Sequence, residues 1–287
     1  MSNKTPWQIA SAAAGILLLA APVEAAAFDW RDVNGRDYTT PVRNQGSVGT
    51  CWAFAAVAAL EAKLEISAGR PDWDPDLSEQ HLVSEGNMGG TGGGFEFLAI
   101  SFFESTGVVT EDELPYRASD TSPDWPLADG WEDRVARITE HEEWLKNSNA
   151  QVKWALEHYG PLVSAMDSMN DWYWPVGTPL GITRSAPADV TGGVVDKLGW
   201  ADHAVAVVGY RDDRSVPGGG YWIIKNSWGS SWGDGGYGYI RYGDLEAHNR
   251  VHAISGGAYV VPESGTLCVL VLGGPIALVR TRNRAPR

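Results

Sequence analysis

The chain contains only two cysteines, Cys51 and Cys268, and that scarcity constrains its folding more than any other feature. Both ends of the sequence read as targeting segments. Residues 1–27, MSNKTPWQIASAAAGILLLAAPVEAAA, place Lys4 before a short apolar centre and a run of small residues, the layout of a secretory signal cleaved after Ala27. That centre is short for a membrane span, and Pro22 and Glu24 interrupt it. Residues 263–287 hold an apolar run at 267–279, then Arg280, Arg282, Arg284 and Arg287, a basic end expected to stay cytoplasmic while the body lies outside. Between these segments, residues 28–262 keep one cysteine. Exported proteins commonly use disulfides, yet no intramolecular bridge can hold this body together. It must fold by packing alone, and its single thiol needs another reason to exist.

The remaining composition bounds the function more than the fold. A hydrophobic content of 44% over 287 residues supports one large domain or two modest ones. A formal charge of −14 argues against nucleic-acid binding, which calls for a basic surface.

Along the body, residues 28–40 read as an extended strap leading to a Gly-rich turn. A helix is expected from 51 to about 67, closed by Gly69 and Pro71. A second should begin at LSEQHLVSE with Ser78 as N-cap, and a third runs through FEFLAISFFEST after a glycine cluster. The Pro-, Asp- and Ser-rich stretch ASDTSPDWPLADG marks a boundary. Beyond it SNAQVKWALEHYG reads as a helix, and PLVSAM, HAVAVVGY, YWIIKNSW and YGYIRYG read as strands. Residues 41–120 are therefore expected to be mainly helical and 135–262 mainly β, and no internal repeat is visible.

The chemistry concentrates where VRNQGSVGTCWAF meets the first helix. A thiolate is the reactive form of cysteine, and a helix N-terminus favours it through unpaired N–H groups and the macrodipole. Cys51 is placed for this, and an imidazole is the natural partner. Of six histidines, His81, His141 and His158 lie in what read as charged helical segments. His248 and His252 have helical i, i+4 spacing but no third ligand, so no metal site is expected. His203 differs, because it opens the apolar strand HAVAVVGY and its ring can face a cleft. Past the next strand, Asn226 can accept from one imidazole nitrogen and aim the other at the thiol, with Trp228 shielding that bond. Gln45 can donate to the oxyanion of an attacked carbonyl, beside the backbone N–H of Cys51.

These segments, NQGSVGTCWAF, LSEQ, GTGGGF, DHAVAVVGY and YWIIKNSWGSSWGDGGYGYIR, resemble the papain family of cysteine peptidases over nearly all of residues 28–261. The resemblance implies an α+β fold with a helical domain, a β-barrel-like domain and the active site in the cleft between them, the strap returning to the second domain. It implies Cys51 as nucleophile, His203 as acid and base, Asn226 as its orienting partner, Gln45 in the oxyanion hole and Trp228 over the Asn–His bond. Substrate contacts fall on Gly93, Gly94, Phe95, Ala165, Ala201 and Asp202. Phe95, Ala165 and Ala201 would line the pocket for the second residue upstream of the cut and favour an apolar side chain, with Glu96 at the rim. No paired-histidine occluding loop is seen, so an endopeptidase acting as a monomer on peptides or proteins, with no cofactor, is expected.

Three departures carry expectations of their own. Val48 and Thr91 stand where the family usually has a bridged cysteine pair. FDWRD follows Ala27 directly, without the usual inhibitory prosegment, so restraint would come from elsewhere, such as a separate protein inhibitor or tethering. The tail beginning VPESG is similar to PEP-CTERM sorting tails of exported bacterial proteins, which an exosortase cleaves, with Ser264 at the usual second proline. Two rival readings are an acyl-transfer enzyme using the same thiol and a catalytically silent surface-binding module.

Overall fold

The computed structural model describes residues 26–85, 87–118, 127–145, 148–166, 182–183, 202–216, 218–242, 250–261, 269–270 and 277–278. The strap starts with β1 (Ala27–Asp29). Helix α1 (Cys51–Ala68) follows and is apolar or alanine on almost every side, so it is buried almost all round instead of along one stripe. Gly69 ends it in the left-handed conformation at φ 62°, its N–H and that of Arg70 returning to Ile66 and Glu65. In α2 (Glu79–Ser84) the expected cap is present, Ser78 Oγ accepting from the His81 N–H. A glycine hairpin, β2 (Gly89–Gly90) with β3 (Gly93–Gly94), leads into α3 (Glu96–Ser105). A Cβ on Gly94 would lie 2.4 Å from the Trp52 ring, so only glycine lets this hairpin close on α1.

The later part of the chain supplies β4 (Ala136–Ile138), β5 (Glu142–Leu145), α4 (Asn149–Tyr159), β6 (Leu162–Met166), β7 (Ile182–Thr183), β8 (His203–Asp212), β9 (Gly220–Lys225), β10 (Tyr237–Arg241), β11 (Arg250–Ala253) and β12 (Ala258–Val260). Eight of the strands form one sheet in the order β5-β11-β6-β8-β9-β10-β7, with β1 also on β8. The first eight residues of β8 are all buried, as a continuous apolar run requires at the centre of a sheet covered on both faces. Strand β6 pairs with β8 from His203 to Val207, and β1 takes over from Gly209 to Arg211. The strap therefore covers the edge that β6 leaves, and Trp30 fixes it further by donating to the Leu156 carbonyl of α4 at 3.1 Å.

Two cores result. One gathers Trp52, Leu60, Leu82, Ile100 and Phe103 around α1, α2 and α3. The other gathers Trp30, Leu156, Val205, Val207, Trp222 and Ile224 around the sheet and α4, and Ala58 and Ile66 of α1 pack against it. Helix α1 is thus the shared wall, and its first residue emerges where the two cores meet.

Two sequence expectations need correction. The β-barrel-like domain is an open sheet among the described residues, because β5 and β7 end the order without pairing to each other. His141 precedes β5 in an irregular segment and not in the helix expected for it, its acidic neighbours having mimicked helical patterning, and His252 lies in β11. In the tail, the described residues form a strand pair, β13 (Val269–Leu270) with β14 (Ala277–Leu278), and no helix among the described residues is long and apolar enough to cross a membrane. Most of the 118–130 boundary, and His248, lie outside the described residues.

Candidate active site

Cys51 is the first residue of α1, and Thr50 before it does not cap the helix with its side chain. The Thr50 hydroxyl instead donates to Tyr116 Oη at 2.7 Å, because that phenol spends its own proton on the Gln45 carbonyl at 2.8 Å. The first N–H groups of a helix lack intrahelical acceptors. With the cap diverted, the N–H groups of Cys51 and Trp52 stay available to the thiol and to a substrate oxygen, while that of Ala53 bonds the Thr50 carbonyl at 2.9 Å.

His203 opens β8, and its Nε2 donates to Asn226 Oδ1 at 2.8 Å; both residues are buried. The same Oδ1 accepts the Ser227 N–H at 2.8 Å, so the amide is held from two sides. Occupying Nε2 leaves Nδ1 as the nitrogen for the thiol. Trp228 lies over the imidazole, ring centroids 4.7 Å apart and tilted 35°, which shields the His–Asn bond from water. Gln45 reaches the site from the Gly-rich turn before α1: its N–H donates to the Ser227 carbonyl at 2.8 Å and its Oε1 accepts from Ser227 Oγ at 2.5 Å. One Nε2 hydrogen goes to the Val48 carbonyl at 2.7 Å, and the amide carries a second.

Burial pushes the Cys51 thiol above its ordinary value, and the charges of Glu96 and Asp202 add to this, while the N–H groups of Ala204 and Trp52 pull it back. Burial likewise lowers His203, opposed by Asn226 and Asp202. Each group alone is thus held toward its neutral form. A proton passed from thiol to imidazole would create both charges together with no net change.

Of the residues expected to contact substrate, Gly93 and Gly94 form β3 against Trp52, and Phe95 follows with 52% of its surface exposed. Ala165 of β6 is the register partner of Ala204, whose N–H meets the thiol, and Asp202 is exposed just before His203. These residues therefore flank Cys51 from both sides. Ala201 lies outside the described residues.

Sequence reasoning assigned no role to Tyr116, Ser227, Thr40, Glu61 or Lys225. Behind Asn226, Lys225 Nζ donates to Thr40 Oγ1 at 2.9 Å, and Thr40 donates to Glu61 Oε2 at 2.5 Å, all three buried. Arg43, Glu61, Glu79, Lys225, Asn226 and Ser227 border a cavity of about 10 Å³, the size of one water. A lysine ending the apolar run YWIIK and a glutamate in the Ala-rich helix were the available signals for this cluster.

A family model described as papain family cysteine protease matches residues 24–255. A cysteine protease of Blomia tropicalis is 34% identical over 226 residues, covering 75% of this chain and 61% of that protein. Pro-cathepsin H of Bos taurus is 34% identical over 222 residues, covering 75% and 59%. The chain thus spans about three-fifths of the length of these relatives. Among solved structures, one from a study of the mite allergens Blo t 1 and Der p 1 has a TM-score of 0.63 at 30% identity, covering 84% of this chain and 74% of that one. Digestive procathepsin L2 from Tenebrio molitor larval midgut has a TM-score of 0.64 at 29% identity, covering 79% and 67%. With a matching family model across most of its length and solved relatives of the same fold, this chain belongs to the papain family of cysteine proteases.

Proposed function

We propose that the protein is a cysteine endopeptidase that cuts peptide bonds through an acyl-enzyme. Nδ1 of His203 takes the Cys51 proton, and the thiolate attacks the scissile carbonyl. The Cys51 N–H and the second Gln45 Nε2 hydrogen stabilise the oxyanion as it forms. His203 then protonates the leaving amine, and with its proton spent it activates the water that releases the acid product. The observation that carries this reading is the 2.8 Å bond from His203 Nε2 to Asn226, which fixes the imidazole tautomer the mechanism needs.

Subsite preference belongs to the same proposal: Phe95 and Ala165 favour an apolar or aromatic side chain at the second residue upstream of the cut. Export through residues 1–27 and processing of residues 263–287 are also part of it. The test is digestion of a peptide library by the full chain, products read by mass spectrometry with and without added amines, beside a Cys51→Ala control. Internal cuts after an apolar second residue, absent from the control, are expected. Products carrying the added amine in place of water would replace hydrolysis with acyl transfer, and an intact library would overturn the reading.

A further inference from the structure

Among the described residues, three helices begin after a serine or threonine, and one of the three does not use it as a cap. Ser78 before α2 and Ser148 before α4 have extended backbones, ψ 109° and 151°, and their side chains accept the N–H groups of His81 and Gln151. Thr50 before α1 sits at ψ 11°, and its hydroxyl turns to Tyr116 instead. Threonine is a good N-cap residue, so something holds this one back.

That dihedral joins two pieces of the site. Upstream lies the turn carrying Gln45, and downstream lies the helix that starts with Cys51. Rotating Thr50 to the extended value of the other two caps would swing the turn bodily against the helix. The two oxyanion donors, the Gln45 amide and the Cys51 N–H, sit one on each piece, so the backbone of Thr50 sets their relative position. Ser227 binds Gln45 to the sheet side and Val48 closes the turn on itself, but neither reaches α1.

Tyr116 does. Its phenol donates to the Gln45 carbonyl at 2.8 Å and accepts from Thr50 Oγ1 at 2.7 Å. Its ring meets Phe54, one turn into α1, edge to face with centroids 4.8 Å apart. Tyr116 is itself fixed from behind: its N–H donates to Glu111 Oε1 at 2.7 Å, and the N–H of Arg117 donates to Gln80 Oε1 of α2 at 2.8 Å. One side chain therefore touches the turn, the residue at its hinge and the helix.

We propose that Tyr116 is a positioning residue of the oxyanion hole: by bridging the Gln45 carbonyl and the Thr50 hydroxyl, it keeps Thr50 from capping α1 and holds the Gln45 amide in register with the Cys51 N–H. The inference rests on the peptidase reading, whose two donors it concerns. Tyr116 acts only through where it holds them and moves no proton of the reaction.

The test separates chemistry that needs an oxyanion hole from chemistry that does not. Peptide hydrolysis develops charge on a carbonyl oxygen, whereas alkylation of Cys51 by iodoacetamide displaces iodide from carbon and develops none there. In Tyr116→Phe, made in the full chain, kcat and kcat/KM for peptide hydrolysis should fall together about tenfold, less than when a donor is removed outright. Alkylation at Cys51, read by mass spectrometry to exclude Cys268, should keep its rate within about twofold. In a Gln45→Ala background the same substitution should have no further effect, because the donor it positions is gone. Thr50→Val cuts the other end of the link and should lower hydrolysis in the same sense with alkylation kept, which carries the test if Tyr116→Phe does not fold.

Unchanged hydrolysis in folded Tyr116→Phe overturns the proposal. An equal loss of hydrolysis and alkylation, the sign of a general disturbance, also overturns it, as does a full further loss in Gln45→Ala. If Tyr116→Phe cuts peptides at the original rate, this inference alone fails; if the unaltered chain is alkylated at Cys51 yet cuts nothing, the peptidase reading fails with it.

Discussion

Helix α1 carries reactive and structural polar groups on the same rod, and it treats them in opposite ways. At its first turn, Thr50 is turned aside to Tyr116, and the opening N–H groups are left to serve a thiol and a substrate oxygen. Ten residues on, Glu61 is satisfied within the fold, one oxygen on the Leu77 N–H at 2.9 Å and the other on Thr40, with Lys225 behind. The first arrangement leaves hydrogen-bonding capacity open for chemistry. The second gives each Glu61 oxygen a donor, which makes its burial tolerable.

Breaking the support should have the largest effect on stability. Lys225→Met leaves Glu61 and Glu79 without their buried cation and should cost about 3–5 kcal/mol in urea unfolding. Adding Glu61→Gln should recover much of that loss. A loss in the single variant below about 1 kcal/mol would mean the cluster is not the support described here.

A smaller change tests the wall beside the nucleophile. Gly49 donates to the Thr91 carbonyl at 2.7 Å, so the Val48 and Thr91 segments run side by side. Val48→Cys with Thr91→Cys should form a bridge worth about 2–4 kcal/mol, which would raise Tm when oxidised relative to reduced. Equal melting in both states would place the two positions too far apart.

The finest test concerns the open end. Asn226 accepts a hydrogen bond from the His203 ring and so favours its protonated form. In Asn226→Ala that support is gone, the imidazolium gives up its proton at lower pH, and the alkaline limb of kcat/KM should move toward acid. The rate at the optimum should fall about ten- to hundredfold as the ring loses its orientation. An unmoved alkaline limb would make Asn226 a packing residue.

Much of the working end was legible in the sequence because its parts sit in short recognisable segments: Gln45 and Cys51 in one, His203 opening a strand, Asn226 and Trp228 in another. Its companions were not legible. Tyr116 touches Gln45 and Thr50 across 71 and 66 positions, and Lys225 meets Thr40 across 185; no local pattern reports such pairings. Burial was equally hidden. His81 reads as a helix-surface residue between Glu79, Gln80 and Glu85, yet it is 1% exposed and accepts the Val109 N–H at 3.3 Å. His252 and Glu96 lie 3.8 Å apart only because β11 returns beside β6.

The most direct test of the central claim is epoxide labelling of the full chain, with the adduct located by mass spectrometry and peptide hydrolysis followed in parallel. One adduct per chain at Cys51, with activity lost in step and absent from Cys51→Ala, is the predicted result. A folded protein that takes no label at Cys51, or one that still hydrolyses peptides as Cys51→Ala, would contradict the account.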